Sequence, residues 1–272
     1  MSLEETKRLL RAHRIVPNKL LGQNFMVEPT FYKELCKHSS LDKSDVVLDA
    51  GAGFGFLTRH LSSRCRSVVA VEKDLQVALV LREMVKSLNN VTVVEGDVLK
   101  TKLPPFNKTV SIPPYYLSSN FTMWLLERNI DCSVMIVQKE FANRLVATVG
   151  SEDYGWLTVL SYRYAQIELH DAVPKEAFYP QPEVDSVIVS LKPWSKRPFQ
   201  VKDETYFKQM VKWLFTQRNK KLAKALMPFL RSTLKLSKTE VETVVAKLPN
   251  RERRPRELSP KDFGVLVDAF SR

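Results

Sequence analysis

The sequence predicts an α/β fold, a mostly parallel sheet with helices on both faces, joined to a small all-helical C-terminal domain. Three observations carry that expectation. The run Val46-Val47-Leu48-Asp49-Ala50-Gly51-Ala52-Gly53-Phe54-Gly55 passes from strand-forming residues through an acid to three alternate glycines, after which Leu57, Thr58, His60 and Leu61 resume at helical spacing. Two further apolar runs, from Ser67 to Glu72 and from Val91 to Asp97, also end in acids and follow at the spacing of βαβ units. Beyond Pro198 the apolar residues keep a helical period while the charge turns strongly basic.

Composition narrows the functional classes. A chain of 272 residues with 44% hydrophobic content can bury an ordinary core. No apolar run approaches the roughly 20 residues of a membrane helix. The opening residues Glu4, Glu5, Lys7 and Arg8 lack the apolar stretch of a signal peptide, so a cytoplasmic protein without membrane contact is expected. Cys36, Cys65 and Cys132 are odd in number and widely separated, which indicates neither a disulfide framework nor a zinc site. The net charge is +12, and from Ser195 onward there are 19 Lys and Arg against 8 Asp and Glu, while the first 194 residues hold 23 against 22. Such asymmetry points to a polyanion, most simply nucleic acid, engaged by the C-terminal part.

The elements follow in order. Residues 1–16 read as a basic amphipathic start ended by Pro17, and an irregular stretch from Asn18 to Val27 carries the amides Gln23 and Asn24. A helix is expected from Pro29 to about His38. The strand ending at Asp49 opens onto the glycine turn, where glycine permits backbone conformations closed to other residues and lets a nucleotide-like ligand approach. The dinucleotide fingerprint would need a third glycine at Phe56; the spacing G-x-G-x-G with Asp49 in front resembles the first motif of class I S-adenosylmethionine methyltransferases. Glu72, 21 positions after Gly51, sits where a strand-end carboxylate accepts from a ribose diol, and Asp97 sits where one accepts from an adenine amino group. A helix from Leu75 to Leu88 is expected between them.

The next unit, Lys108-Thr109-Val110-Ser111-Ile112-Pro113-Pro114-Tyr115-Tyr116, resembles the Pro-Pro-aromatic motif of methyltransferases that act on exocyclic amino groups. The chemistry accounts for the residue types. An adenine N6 lone pair is delocalised into the ring, so acceptors that grip the amino hydrogens and an aromatic face beneath the base favour attack on a methyl sulfonium. A fifth strand is expected over 133–140, a helix over 141–149, a loop over 150–155, apolar segments over 157–163 and 165–172, and a late antiparallel strand over 184–191. Residues 193–198 read as a linker. Beyond it Phe207, Met210, Val211, Leu214, Phe215, Leu222 and Leu226 form an apolar face, with Arg218, Lys220, Lys221 and Lys224 projecting elsewhere. Helices over 238–247 and 260–270 flank a loop crowded with Arg251, Arg253, Arg254 and Arg256, which suits phosphate contacts. The domain expectation is 1–192 for catalysis and 199–272 for a basic helical RNA-binding domain.

Taken together, Gln23-Asn24-Phe25-Met26, the Asp49–Gly55 turn, Val71-Glu72, Gly96-Asp97, Pro114-Tyr115 with Leu117-Ser118-Ser119, Phe178 through Ser186, Phe215 through Leu222 and Arg254 through Ser259 occur in the order seen in the small-subunit ribosomal RNA adenine dimethyltransferases, the kasugamycin-resistance methyltransferase family. The resemblance runs from about Asn18 to Phe263. It implies a class I methyltransferase domain with S-adenosylmethionine as methyl donor, S-adenosylhomocysteine as product and no metal. It further implies N6-dimethylation of adenosines in small-subunit, 16S-type ribosomal RNA during ribosome biogenesis, by a monomer acting on the RNA or the assembling subunit. Residue by residue, it puts the methionine end of the cofactor near Asn24 and Met26, the turn at Gly51 and Gly53, the ribose on Glu72 and the adenine on Asp97. The target base lies against Tyr115, with Phe178 as a second wall.

One departure stands out. The family's acceptor motif reads Asn-(Leu/Ile)-Pro-(Tyr/Phe), and the register from Pro114-Tyr115 puts Ile112 in the asparagine position. A register slipped by one makes Ser111 the acceptor, beside the cofactor as well; in either case the carbonyl of Ile112 or Pro113 remains available. Ser111 or a carbonyl suffices, or methylation is slow or stops after one methyl, or the chain is a ribosome-assembly factor that binds RNA without methylating it. A small-molecule methyltransferase is the other rival, against which the basic C-terminal part argues.

Overall fold

The computed structural model describes residues 3–235 and 237–270. The chain falls into two compact units, one of residues 1–142 with 166–193 and one of residues 143–165 with those from 194 onward.

The first unit opens with α1 (Leu3–Ala12), whose Leu9 and Leu10 are buried; Met1 and Ser2 of the expected amphipathic start lie outside the described residues. After the two-residue strand β1 (Phe25–Met26) and α2 (Thr30–Ser39) come β2 (Val46–Ala50), α3 (Phe56–Ser62), β3 (Ser67–Glu72), α4 (Leu75–Val85), β4 (Val91–Glu95), β5 (Lys108–Ser111), α5 (Ser118–Leu126), β6 (Cys132–Gln138) and α6 (Lys139–Leu145). Later in the chain, β7 (Ala165–Val173), the short β8 (Phe178–Tyr179) and β9 (Ser186–Pro193) complete the strands. The main sheet has the order β4-β3-β2-β5-β6-β9-β7. β2, β3, β4, β5 and β6 pair in parallel, and β9 is antiparallel to β6.

This order positions the site. From β2 the chain steps outward through β3 to β4 and then returns to the other flank of β2 as β5, so the direction reverses between β2 and β5. Ligands of open α/β sheets bind beyond the carboxyl ends of strands at such a reversal. Val47, Leu48, Val68, Val110, Val134 and Ile136 are all buried, as a sheet covered on both faces requires. β4, at the edge, has no buried residue. α4 starts where Asp74 accepts from Gln76 N at 2.9 Å and Val77 N at 3.3 Å, which satisfies two of the orphan donors of its first turn.

Several expected boundaries shift. β4 ends at Glu95, so Asp97 lies in the following turn, while Asp49 lies inside β2 and Glu72 closes β3. The helix expected over 141–149 begins at Lys139 and stops at Leu145. The antiparallel pair of β1 and β8, with Phe25 opposite Tyr179 and Met26 opposite Phe178, was not foreseen.

The second unit contains α7 (Trp156–Tyr164), α8 (Glu204–Thr216), α9 (Leu222–Leu234), α10 (Lys238–Ala246) and α11 (Pro260–Asp268). Phe207, Met210, Leu214, Leu226, Leu230 and Phe263 form its core. Ser237 with Glu240 and Ser259 with Asp262 cap α10 and α11 in capping boxes, and Pro260 sits in the first turn of α11. α7 packs against α8 and α11. Arg163 of α7 is fully buried; it donates to Phe199 O at 2.8 Å, pairs with Glu204, and lies over the Phe199 and Phe207 rings at 5.2 and 5.5 Å. Residues 143–165 thus pack with the C-terminal helices, although the sequence reading places them within 1–192.

Candidate active site

The glycine turn and the Pro-Pro loop are built against each other. Gly51 has φ +74°, and a Cβ there would come 2.7 Å from Pro114 Cδ, so glycine is required both by the backbone and by the space. The turn's N–H groups are engaged inside the protein. Gly51 N and Ala52 N donate to Val71 O at 2.9 and 3.0 Å, and Gly53 N donates to Glu72 Oε2 at 2.9 Å.

Glu72 is nearly buried and accepts from three backbone amides, since Lys73 N and Asp74 N also donate to its Oε1 at 2.8 and 2.9 Å. A carboxylate offers about four acceptor positions, and three backbone amides occupy most of them, leaving acceptor capacity chiefly on Oε2. Burial raises its pKa, and the three amide bonds oppose that rise. Asp97 accepts from Leu99 N at 3.0 Å and from Lys73 Nζ at 3.2 Å, and these bonds hold its pKa low against the desolvation that raises it.

Asn24, Gly51, Gly53, Glu72, Asp97, Ile112, Pro113, Tyr115 and Phe178 line one cleft of about 770 Å³ that opens to solvent. Met26 lies in an adjoining recess of about 380 Å³, which it shares with Asn24, Asp49, Phe54 and Ile112. Between them, the cleft and the recess take in all but one of the residues expected to hold the cofactor or the target base. Ser111 is the exception. It is fully buried, and its Oγ accepts from Ala50 N at 3.0 Å and donates to Leu48 O at 3.3 Å, stitching β5 to β2. Its hydroxyl is spent on the sheet, and it lines neither cavity. Ile112 lines both cavities, and its side chain carries no hydrogen-bond acceptor.

Tyr115 is fixed in place. Its hydroxyl lies 2.7 Å from Ser186 Oγ, burial raises its pKa, and its ring meets Phe178 edge-on, with centroids 6.3 Å apart at 76°. Phe178 is only 3% exposed, so it supports the Tyr115 ring from the core as well as closing the cleft. The β1–β8 pair brings these rings to the Asn24 loop.

Asp49 is buried, accepts from Thr58 Oγ1 at 2.7 Å, and is pushed up to about 7, chiefly by burial, with the Glu72 charge adding to the rise and the Thr58 bond opposing it.

Further residues build the site, among them Gln23 and Phe25 of the Gln23–Met26 motif, to which the sequence assigned no separate role in the cleft. Phe25 stacks on Phe54, with centroids 4.4 Å apart, and lies 3.4 Å from where a Gly53 Cβ would be, so it floors the cleft. Gln23 donates to Asp74 Oδ2 at 2.8 Å and ties its loop to α4. Lys73 and Tyr116 stand at the rim. Only their proximity to flagged motif residues could have marked them. Metal-type donors gather, among the described residues, at Glu34, His38 and Asp171, none of which lines the cleft.

In the second unit the flagged basic residues are mostly ordered by the chain itself. Arg218 donates to Glu152 O and Ser151 O at 2.9 and 3.1 Å, Arg251 to Ala246 O at 2.9 Å, Arg254 to Asn219 O at 2.8 Å, and Arg253 to Glu257 O. Lys221 pairs with Glu252 at 2.7 Å, Lys220 and Lys224 are exposed, and Arg256 is half-buried. A carbonyl partner orients the Arg218 and Arg254 guanidiniums without cancelling their charge, while the carboxylates of Glu252 and Asp262, 3.7 and 3.8 Å away, offset part of the charge on Arg251 and Arg253.

A Rossmann-like sheet with an antiparallel strand beside β6, a glycine turn at its switch point, and an acid at the end of the next strand define a class I S-adenosylmethionine-dependent methyltransferase. The chain belongs to the ribosomal RNA adenine dimethylase family, whose model matches residues 16–252. It is 38% identical over 257 residues to the probable ribosomal RNA small subunit methyltransferase A of Thermococcus kodakarensis, covering 93% of this chain and 90% of that one. It is 34% identical over 278 residues to the ribosomal RNA small subunit methyltransferase A of Halothermothrix orenii, covering 97% and 92%. Among solved structures it is similar to a dimethyladenosine transferase from Plasmodium falciparum, with TM-score 0.74, 26% identity and coverage of 87% and 93%. It is also similar to the 23S rRNA methyltransferase ErmE, with TM-score 0.65, 27% identity and coverage of 92% and 100%.

Proposed function

We infer that the protein dimethylates N6 of adenosines in small-subunit ribosomal RNA, using S-adenosylmethionine. The observation that carries this reading is the single cleft in which Gly51, Glu72 and Asp97 face the Ile112–Tyr115 loop. The residues fit the cofactor: the Gly51 and Gly53 turn has no side chains to fill the cradle, Glu72 has acceptor capacity on Oε2 for a ribose hydroxyl, and Asp97 can accept from an adenine amino group. When bound, the cofactor supplies an electrophilic methyl on a sulfonium that leaves as a neutral thioether.

The chain's own part is positioning and electrostatics. Tyr115, pinned through Ser186, offers a fixed aromatic face for a flipped base. The Ile112 and Pro113 carbonyls accept the amino hydrogens, which withdraws the N6 lone pair from the ring and aims it at the methyl. The Ile112 carbonyl oxygen would lie 3.6 Å from a Cβ on Gly51, so it points toward the cofactor turn. The apolar Ile112 side chain helps to exclude water from that contact. Positive side chains of the helical unit hold RNA phosphates without reading sequence. The reading takes the protein to act as a monomer in the cytoplasm, without a metal. A factor that binds RNA but does not methylate it is the less favoured reading, because main-chain acceptors replace the missing asparagine and the relatives bear methyltransferase names.

The test is methyl transfer from labelled S-adenosylmethionine to undermethylated small subunits and to naked RNA, with nucleoside analysis and Tyr115→Ala as control. Dimethyladenosine that disappears in the variant supports the reading. Bound cofactor and bound subunits without transfer would refute it.

A further inference from the structure

We propose that Tyr116, with Lys73 beside it, forms a second base-binding subsite at the mouth of the cleft, for an unpaired RNA nucleotide next to the target adenosine. The proposal rests on the RNA-methylation reading and extends it.

Tyr115, Tyr116 and Leu117 form a single 3₁₀ turn. With about three residues per turn, neighbours point roughly 120° apart. Tyr115 is drawn inward by Ser186 and Leu117 is buried, so Tyr116 is directed outward, 52% exposed. Single exposed apolar side chains are common on protein surfaces, but Tyr116 lines the same cleft that the cofactor and target base would fill.

Its surroundings are shaped for contact. Gly22, at φ +61°, lies so close that a Cβ there would stand 3.4 Å from Tyr116 Cδ1, which braces the ring edge against the backbone of the Asn24 loop. Leu20, two residues earlier on that loop, is 90% exposed. Lys73, whose side chain is 47% exposed, has its ammonium 3.2 Å from Asp97 Oδ2 and beside the Tyr116 hydroxyl. An aromatic face together with a cation is the combination by which proteins hold unpaired nucleotides, the ring stacking on the base and the ammonium meeting the phosphate. A target flipped out of its strand leaves a neighbour with one bare face, and an aromatic at the pocket mouth can restore the lost stacking.

The experiment uses the full chain and a small-subunit RNA hairpin carrying 2-aminopurine immediately 5′ or 3′ of the target adenosine. Wild type is expected to quench the probe at one of the two positions. Tyr116→Phe and Tyr116→Trp keep the quenching, because only the ring is needed. Tyr116→Ala abolishes it and weakens RNA binding by roughly 5- to 150-fold, the range for one stacked base. Lys73→Ala lowers the slope of log affinity against log salt by about 1, as expected when one phosphate contact is lost. Equal quenching and affinity in wild type and Tyr116→Ala, or no quenching by wild type at either position, would overturn the subsite and leave methylation standing. If the hairpin alone is not bound, the same probe is read in reconstituted undermethylated subunits; failure of wild type to bind or methylate either substrate would overturn the underlying reading, and the subsite with it.

Discussion

Replacing Asp49 by Asn is expected to change how stability and cofactor binding depend on pH. The Asp49 carboxyl is buried, and its pKa is raised from 3.8 to about 7, first by burial and then by the Glu72 charge. A shift of about 3 units at 1.36 kcal/mol each is worth about 4 kcal/mol. The folded state holds this proton more tightly than the unfolded state. The stabilisation is therefore fully present below pH ~4, is lost as pH rises through 7, and is gone above it. A loss of about 4 kcal/mol is a large fraction of the stability of an ordinary domain. Asn keeps an acceptor for the Thr58 hydroxyl, 2.7 Å away, and cannot ionise. Urea unfolding at half-unit steps from pH 5 to 8 should therefore show the variant gaining on wild type as pH rises. Cofactor titrations add a second measurement. A cationic ligand near Asp49 favours the carboxylate, so wild-type affinity should climb by up to about tenfold per unit below pH 7, and Asp49→Asn should lose that slope. Parallel stability curves for the two proteins would refute the buried, protonated acid.

Other outcomes follow from the same geometry. Gly51→Ala forces a Cβ within 2.7 Å of Pro114 Cδ at φ +74°, so a loss of at least about 1–2 kcal/mol in unfolding and a severe loss of cofactor binding by calorimetry are expected. Arg163→Leu removes the buried partner of Glu204, which keeps Arg197 and the Tyr164 hydroxyl, so the cost should stay near about 2–3 kcal/mol, below that of a fully orphaned charge, as measured by denaturant midpoint. Arg251→Ala and Arg254→Ala should each flatten the salt dependence of RNA binding by about one unit of slope, read by fluorescence anisotropy.

What the sequence disclosed and what it hid divide along the range of the interactions involved. The glycine turn was legible because a positive φ is a local demand that only glycine meets cheaply, and Glu72 was legible because strand and turn spacing place it. Ser111 was misread because its task depends on where its hydroxyl points across the sheet, toward Ala50 and Leu48, and no local pattern encodes that. Tyr115 was found from its motif, yet its anchor Ser186 lies 71 residues away. The two-residue strands β1 and β8 are too short for any periodicity to show, and they pair across about half the chain. The membership of α7 in the helical unit rests on Arg163 and Glu204, 41 residues apart, a contact that composition shifts do not signal.

That membership has a consequence for how this architecture can be cut or exchanged. The polypeptide leaves the sheet unit after Ala142, returns at Gln166, and leaves again after Pro193. A chain truncated at Pro193 would retain α7 with the buried faces of Leu157, Leu160 and Arg163 stripped of α8 and α11. Removing the C-terminal helices alone therefore yields a sticky fragment, not a tidy catalytic core. Swapping them for another RNA-holding module would require two coordinated replacements at separate places in the gene.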